Sequence, residues 1–151
     1  MESYTIANKK DFMNKLLKSD LFDTFEVREV VLHATFKSVF DGARNLDFFA
    51  DIENKEALPY FVNWNEMKPF IYHFVIGNKL PTYFKIILST NTAKTYALSP
   101  AASTFFLNIT FKDNEIKCST GIAYKEFTLD KSCEKIWDEK MKSFLFKYNF
   151  L

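Results

Sequence analysis

The run Phe105-Phe106-Leu107-Asn108-Ile109-Thr110-Phe111-Lys112-Asp113-Asn114-Glu115-Ile116-Lys117-Cys118-Ser119-Thr120 decides the fold class. Phe105, Leu107, Ile109 and Phe111 recur at the two-residue period of a pleated strand, and Ile116 and Cys118 resume it after Asp113-Asn114. Asp and Asn tolerate left-handed backbone and turn the chain. The run therefore predicts an antiparallel hairpin with strands over 104–112 and 115–121.

Working outward, Thr82 to Ser89 places Phe84, Ile86 and Leu88 on one face and Tyr83, Lys85 and Ile87 on the other, a strand over 82–89. Further back, Val30, Leu32, Ala34 and Phe36 oppose Val31, His33 and Thr35, which gives a strand over 27–35. A short run, Ser38-Val39-Phe40, ends at Asp41-Gly42, a dipeptide suited to φ > 0, so a hairpin or bulged bend is expected there. Tyr4 and Ile6 form another short strand, and residues 43–63 are irregular, with a short helix around Leu46 to Ile52.

Three longer helices fill the gaps. The 8–19 region has Asn8 as its cap and Phe12, Met13, Leu16 and Leu17 on one stripe. Within 64–76, capped by Asn63 or Asn65, Trp64, Met67 or Lys68, Ile71, and Phe74 or Val75 recur at helical spacing, and Gly77 takes the C′ place before Pro81 blocks continuation. The 131–148 region follows Asp130 as N-cap and turns Cys133, Ile136, Trp137, Met141, Phe144, Leu145 and Tyr148 inward. Hairpins outnumber any βαβ crossover, so the class is α+β: a mainly antiparallel sheet of roughly five to six strands with three helices, largely on one face.

Composition narrows the function classes. A chain of 151 residues is expected to be one domain, 1–151, set against roughly 100–200 residues per domain. Eighteen Phe, seven Tyr and two Trp argue for a packed core and against disorder. Only three Gly are present, and neither GxGxxG nor GxxxxGK[ST] occurs, so phosphate-cradling loops lose their basis and no cofactor is expected. The net charge of +1 selects no polyanionic partner. The apolar stretch Pro69 to Ile76 is far below the roughly 18–20 residues of a membrane span, and Met1-Glu2-Ser3-Tyr4 lacks a signal-peptide pattern, so a cytoplasmic protein with reduced Cys118 and Cys133 and no membrane partner is expected.

Chemistry-bearing residues are sparse. Cys133 in the first turn of the last helix has the position of an activated thiol, but it shares a stripe with Trp137 and is read as a core contact. His73 lies between Tyr72 and Phe74 in a helix and reads as structural, and His33 lies on the less apolar face of its strand. Histidines and cysteines at 33, 73, 118 and 133 have no metal-ligand spacing, and Asp41 with Asp47, Asp51 with Glu53, and Glu134 with Asp138 and Glu139 read as turns, caps or a solvated helix face. No catalytic or metal residue is assigned. The one candidate site joins Lys68, Lys79 and Lys85, which lie at a helix end, a Gly-Asn turn and the following strand, as an anion-binding cluster. Lysines near a helix C-terminus are also favoured by the helix dipole alone.

The elements Asp41-Gly42, Asp47-Phe48-Phe49, Trp64, Lys68-Pro69, Gly77 with Lys79 and Pro81, Phe84-Lys85-Ile86, Leu107-Asn108-Ile109, Thr120-Gly121, and Phe127-Thr128-Leu129-Asp130-Lys131 followed by Trp137-Asp138 resemble a family of small bacterial proteins defined by a domain of unknown function. The resemblance implies a bacterial, cytoplasmic, single-domain protein and carries over no catalytic residue. Set against that resemblance, the stretch from Ser89 to Ser103 looks shorter here, so the resemblance implies no site that would use that loop. Exclusion of cofactor motifs and an aromatic content larger than one core needs favour a non-catalytic binding or regulatory protein whose partner is another protein. A nucleic-acid or phosphate-anion binder, with Lys interleaved among Tyr83-Phe84-Lys85 and Phe144 to Tyr148, and a small hydrolase-like enzyme are the alternatives.

Overall fold

A computed structural model describes residues 1–76 and 79–151. The hairpin is present as expected: β5 (Ala102–Lys112) and β6 (Glu115–Tyr124) pair antiparallel around Asp113 and Asn114, both in the left-handed region at φ 51° and 62°. β1 (Ser3–Thr5), β2 (Glu26–His33), β3 (Lys37–Asp41) and β4 (Tyr83–Ser89) complete a six-stranded sheet in the order β1-β6-β5-β4-β2-β3, with every pairing antiparallel.

α1 (Lys9–Lys18), α2 (Trp64–Val75), α3 (Thr92–Leu98) and α4 (Ser132–Lys147) cover one face of that sheet. The α+β expectation holds, with one helix more than the sequence showed. α3 is the extra one, a seven-residue helix whose Asn91 side chain accepts from the Lys94 amide at 2.8 Å. Glu66 settles the start of α2: its carboxylate accepts from the Asn63 amide at 2.8 Å, so Asn63 rather than Asn65 is the cap. The expected C′ residue of α2, Gly77, lies outside the described residues. α4 begins at Ser132, with Asp130 accepting from the Ser132 amide one position before the cap.

Strand parity makes the core. Val30, Leu32, Phe84, Ile86, Leu88, Phe105, Leu107, Ile109, Ile116 and Cys118 point to the helical side and are buried. Above them Phe12 and Leu16 of α1, Trp64 and Ile71 of α2, and Cys133, Trp137, Met141 and Leu145 of α4 close the layer. Ile136, expected inward, is instead exposed, because it sits one position off the Cys133, Trp137, Met141 stripe. Phe12 meets Phe22 and Phe150 edge-on at 5.6 and 5.0 Å, tying the first helix to the end of the chain.

The β2–β3 hairpin turns at Ala34–Phe36, where Ala34 donates to the Phe36 carbonyl at 3.1 Å, while Asp41-Gly42, the expected place of a hairpin or bulged bend at φ > 0, is where β3 ends. Gly42 does not take positive φ. It serves a close approach instead: its amide donates to the Arg28 carbonyl, its carbonyl accepts from Val62, and Val62 in turn accepts from Val27. Three segments therefore meet at a point where a side chain has no room.

Candidate functional site

The three lysines singled out in the sequence are placed apart. Lys68 lies in the helical layer, donating to the Asp23 carboxylate at 2.6 Å and to the Ser19 carbonyl at 2.9 Å. Lys85 projects from the other face of the sheet, 3.4 Å from Glu29 Oε2. Lys79 is exposed in the connection after α2. The sheet stands between Lys68 and Lys85, and each already has a carboxylate partner, so the structure does not bring the three together around one anion.

The sheet edge at β3 carries a feature that periodicity concealed. Among the described residues no strand pairs with the outer side of β3, so alternate backbone N–H and C=O groups of Lys37–Asp41 face outward. Beside that edge Phe74 of α2 meets Phe36 at 6.3 Å and Phe40 at 5.3 Å, both edge-to-face. Phe70, one helical turn before Phe74, shares its side of α2. Phe36 is 61% and Phe70 66% exposed, values that make them surface and not core. Alternation from Val30 had placed Phe36 inward, but the turn at Ala34–Phe36 breaks that parity. The signal available in sequence was the excess of Phe, which carried no position.

Behind the same edge a charged clasp holds the 43–63 connection against the sheet. The register of β2 on β4 skips Arg28 between Val27 and Glu29, a bulge that aims its guanidinium across the open face. Arg28 Nε donates to Ser89 Oγ at 2.9 Å, and the guanidinium sits 3.9 Å from the Phe61 ring centroid and 5.4 Å from that of Phe106. Arg44 forks onto both Glu66 oxygens at 2.8 and 3.0 Å and donates Nε to the Pro59 carbonyl, which holds the Glu66 carboxyl below its ordinary range.

Glu26, buried near both arginines, has no hydrogen bond to its carboxylate among the described residues, and burial pushes its pKa up against their pull. A carboxyl raised in the folded state loses stability for the protein as pH climbs from the unfolded value through the folded one. Glu26→Gln is therefore expected to raise the thermal midpoint at pH 7 and to lose that advantage below the ordinary carboxyl value of 4.5. Calorimetry at both pH values checks this, and an equal increment at each contradicts it.

The cysteines and histidines are dispersed. Cys118 is buried in the sheet, where burial pushes its thiol up to about 12. Cys133 Sγ lies 2.9 Å from Ser99 Oγ, while His33 packs on Tyr83 at 4.9 Å between ring centroids and His73 is exposed near the end of α2.

A family model described as a family of unknown function, DUF5721, matches residues 15–151. The chain belongs to that family. The match takes in every element from the second turn of α1 onward, including the β3 edge, the aromatic cluster and the Arg28–Arg44 clasp. No curated protein and no solved structure matches the chain. No helix among the described residues of this DUF5721 member is long and apolar enough to cross a membrane.

Proposed function

We propose that the protein is a non-catalytic binding module that takes an extended segment of another protein along β3. The observation that carries this is the unpaired edge of Lys37–Asp41 lying directly beside the exposed aromatics Phe36, Phe70 and Phe74. An added strand gains main-chain hydrogen bonds from such an edge, and neighbouring apolar surface receives alternate side chains of the incoming segment. Soluble proteins usually cover or guard an edge of this kind, with a bulge, a proline or an inward charge. β3 carries charges at its two ends, Lys37 and Asp41, but no bulge, proline or inward charge, and Val39 between them is exposed. The opposite edge, β1, is only three residues long and gives far less to pair with.

The dispersion of nucleophiles and bases supports the non-catalytic half of the proposal: Cys133 faces Ser99, and neither histidine lies beside a cysteine among the described residues. The pairing of Lys68 with Asp23 and of Lys85 with Glu29 favours a protein partner over a polyanion, because those charges are already compensated.

Phage display of random peptides against the immobilised protein tests the proposal. Enrichment of sequences with apolar residues at alternating positions is expected. Their binding should fall by roughly tenfold or more in the double variant Phe36→Ser, Phe70→Ser, since truncating anchor aromatics costs on the order of 1–2 kcal/mol or more each. Both side chains are largely exposed, so the thermal midpoint should stay put. No enrichment, or enrichment indifferent to the double variant, contradicts the proposal. So does a self-association, seen by sedimentation, that the double variant abolishes, because the surface would then serve a second copy of the chain.

A further inference from the structure

On the helical side, between the start of α1, the end of α2 and the sheet, lies an open cleft of about 390 Å³. That volume is at the lower end of the roughly 300–1,000 Å³ typical of small-molecule sites. Its floor is apolar. Phe84 and Phe111 stack there at 5.4 Å and 16°, flanked by Ile116 from the sheet, Met13 from α1 and Val75 from α2. Leu80, 74% exposed, forms the outer wall.

The mouth is polar and carries one sign of charge. Lys9 and Lys10 stand at its rim beside Asn14 and Asn114, and no Asp or Glu lines the cleft among the described residues. Lys9 Nζ donates to the Asn114 carbonyl at 2.6 Å, which positions the ammonium but leaves its charge uncompensated, with two further N–H groups to give. Neither lysine joins an ion pair among the described residues, unlike Lys68, Lys85, Lys117 and Lys131.

A greasy floor of small volume with two cations and no anion among the described residues at its mouth complements an amphiphile with an anionic head. We infer that the cleft binds a single-chain amphiphile with a carboxylate head, the chain lying on Phe84 and Phe111 and the head between Lys9 and Lys10. The aliphatic part gains by leaving water, and the carboxylate accepts charge-assisted hydrogen bonds from the ammonium groups. A neutral head forgoes that gain, and a cationic head meets repulsion. This site is separate from the β3 edge, and its test does not depend on the protein-binding proposal.

The probe is sodium decanoate, titrated below its micelle concentration into protein carrying ¹³C-methyl methionine, with decylammonium chloride as the comparison. Met13 reports from the cleft wall, and Met141, buried under α4, serves as the internal reference. A saturable shift at Met13 with Met141 unmoved is expected, with decanoate binding roughly tenfold tighter than decylammonium because two rim charges change from attractive to repulsive. In the folded double variant Lys9→Gln, Lys10→Gln the preference should collapse toward unity while decylammonium binds no worse. Equal binding of the two amphiphiles to the native protein, no saturable shift at Met13, or Met13 and Met141 shifting in parallel overturns the inference, and the first comparison needs no variant at all.

Discussion

Gly42→Ala is expected to destabilise the fold by more than about 4 kcal/mol, enough to leave little folded protein at 37 °C. A Cβ built at Gly42 falls 1.8 Å from the Val27 carbonyl oxygen and 2.5 Å from its carbon, which are backbone atoms with no rotamer to yield. Relief requires separating β2 from the end of β3, and with it the hydrogen bonds from Gly42 to Arg28 and from Val62 to Gly42. Gly121→Ala is the control. Its Cβ meets Phe106 Cβ at 3.4 Å, ordinary contact, and an added methyl in a strand interior is expected to be neutral or to stabilise by about 0.5 kcal/mol. Urea unfolding of the two variants side by side checks the pair of expectations, and similar midpoints would contradict them.

Trp137→Ala carries the next largest effect, roughly 3–5 kcal/mol. The indole is buried, lies 5.2 Å from the Phe105 ring between centroids, and donates Nε1 to the Phe106 carbonyl at 2.8 Å. Truncation therefore opens a cavity and removes the donor to that carbonyl together. Trp137→Phe fills most of the cavity without restoring the donor, so it should fall between the two. Unchanged stability in Trp137→Ala would show that α4 does not pack on the sheet through this stripe.

The fold was legible wherever the chain signals locally. Asp113 and Asn114 tolerate the left-handed conformations the hairpin turn needs, and Phe84 through Leu88 alternate cleanly, so β4, β5 and β6 follow from residue type and period. The turn at Ala34–Phe36 holds no Gly, Asn or Pro, whereas Asp41-Gly42 holds the expected turn residues for a different reason. Gly42 is small because Val27, Arg28 and Val62 converge on it, a tertiary fact with no local trace. The lysine cluster failed to assemble for a related reason: Lys68 and Lys85 are close in sequence, but a helix and a strand place them on opposite faces of the sheet. The bulge that aims Arg28 over Phe61, and the turn that carries Phe36 to the surface, are likewise products of pairing register, which sequence alone does not number.

Amide hydrogen exchange across β3 is the most direct measurement of the protein-binding account, made with and without a peptide enriched by display. In the free protein, outward-facing amides within Lys37–Asp41 should exchange quickly while β4 and β5, inside the sheet, stay protected. Peptide addition is predicted to slow exchange at β3 selectively, leaving β1 unchanged. Protection that appears at β1 or on another element, with β3 exchanging as before, would contradict strand addition at this edge.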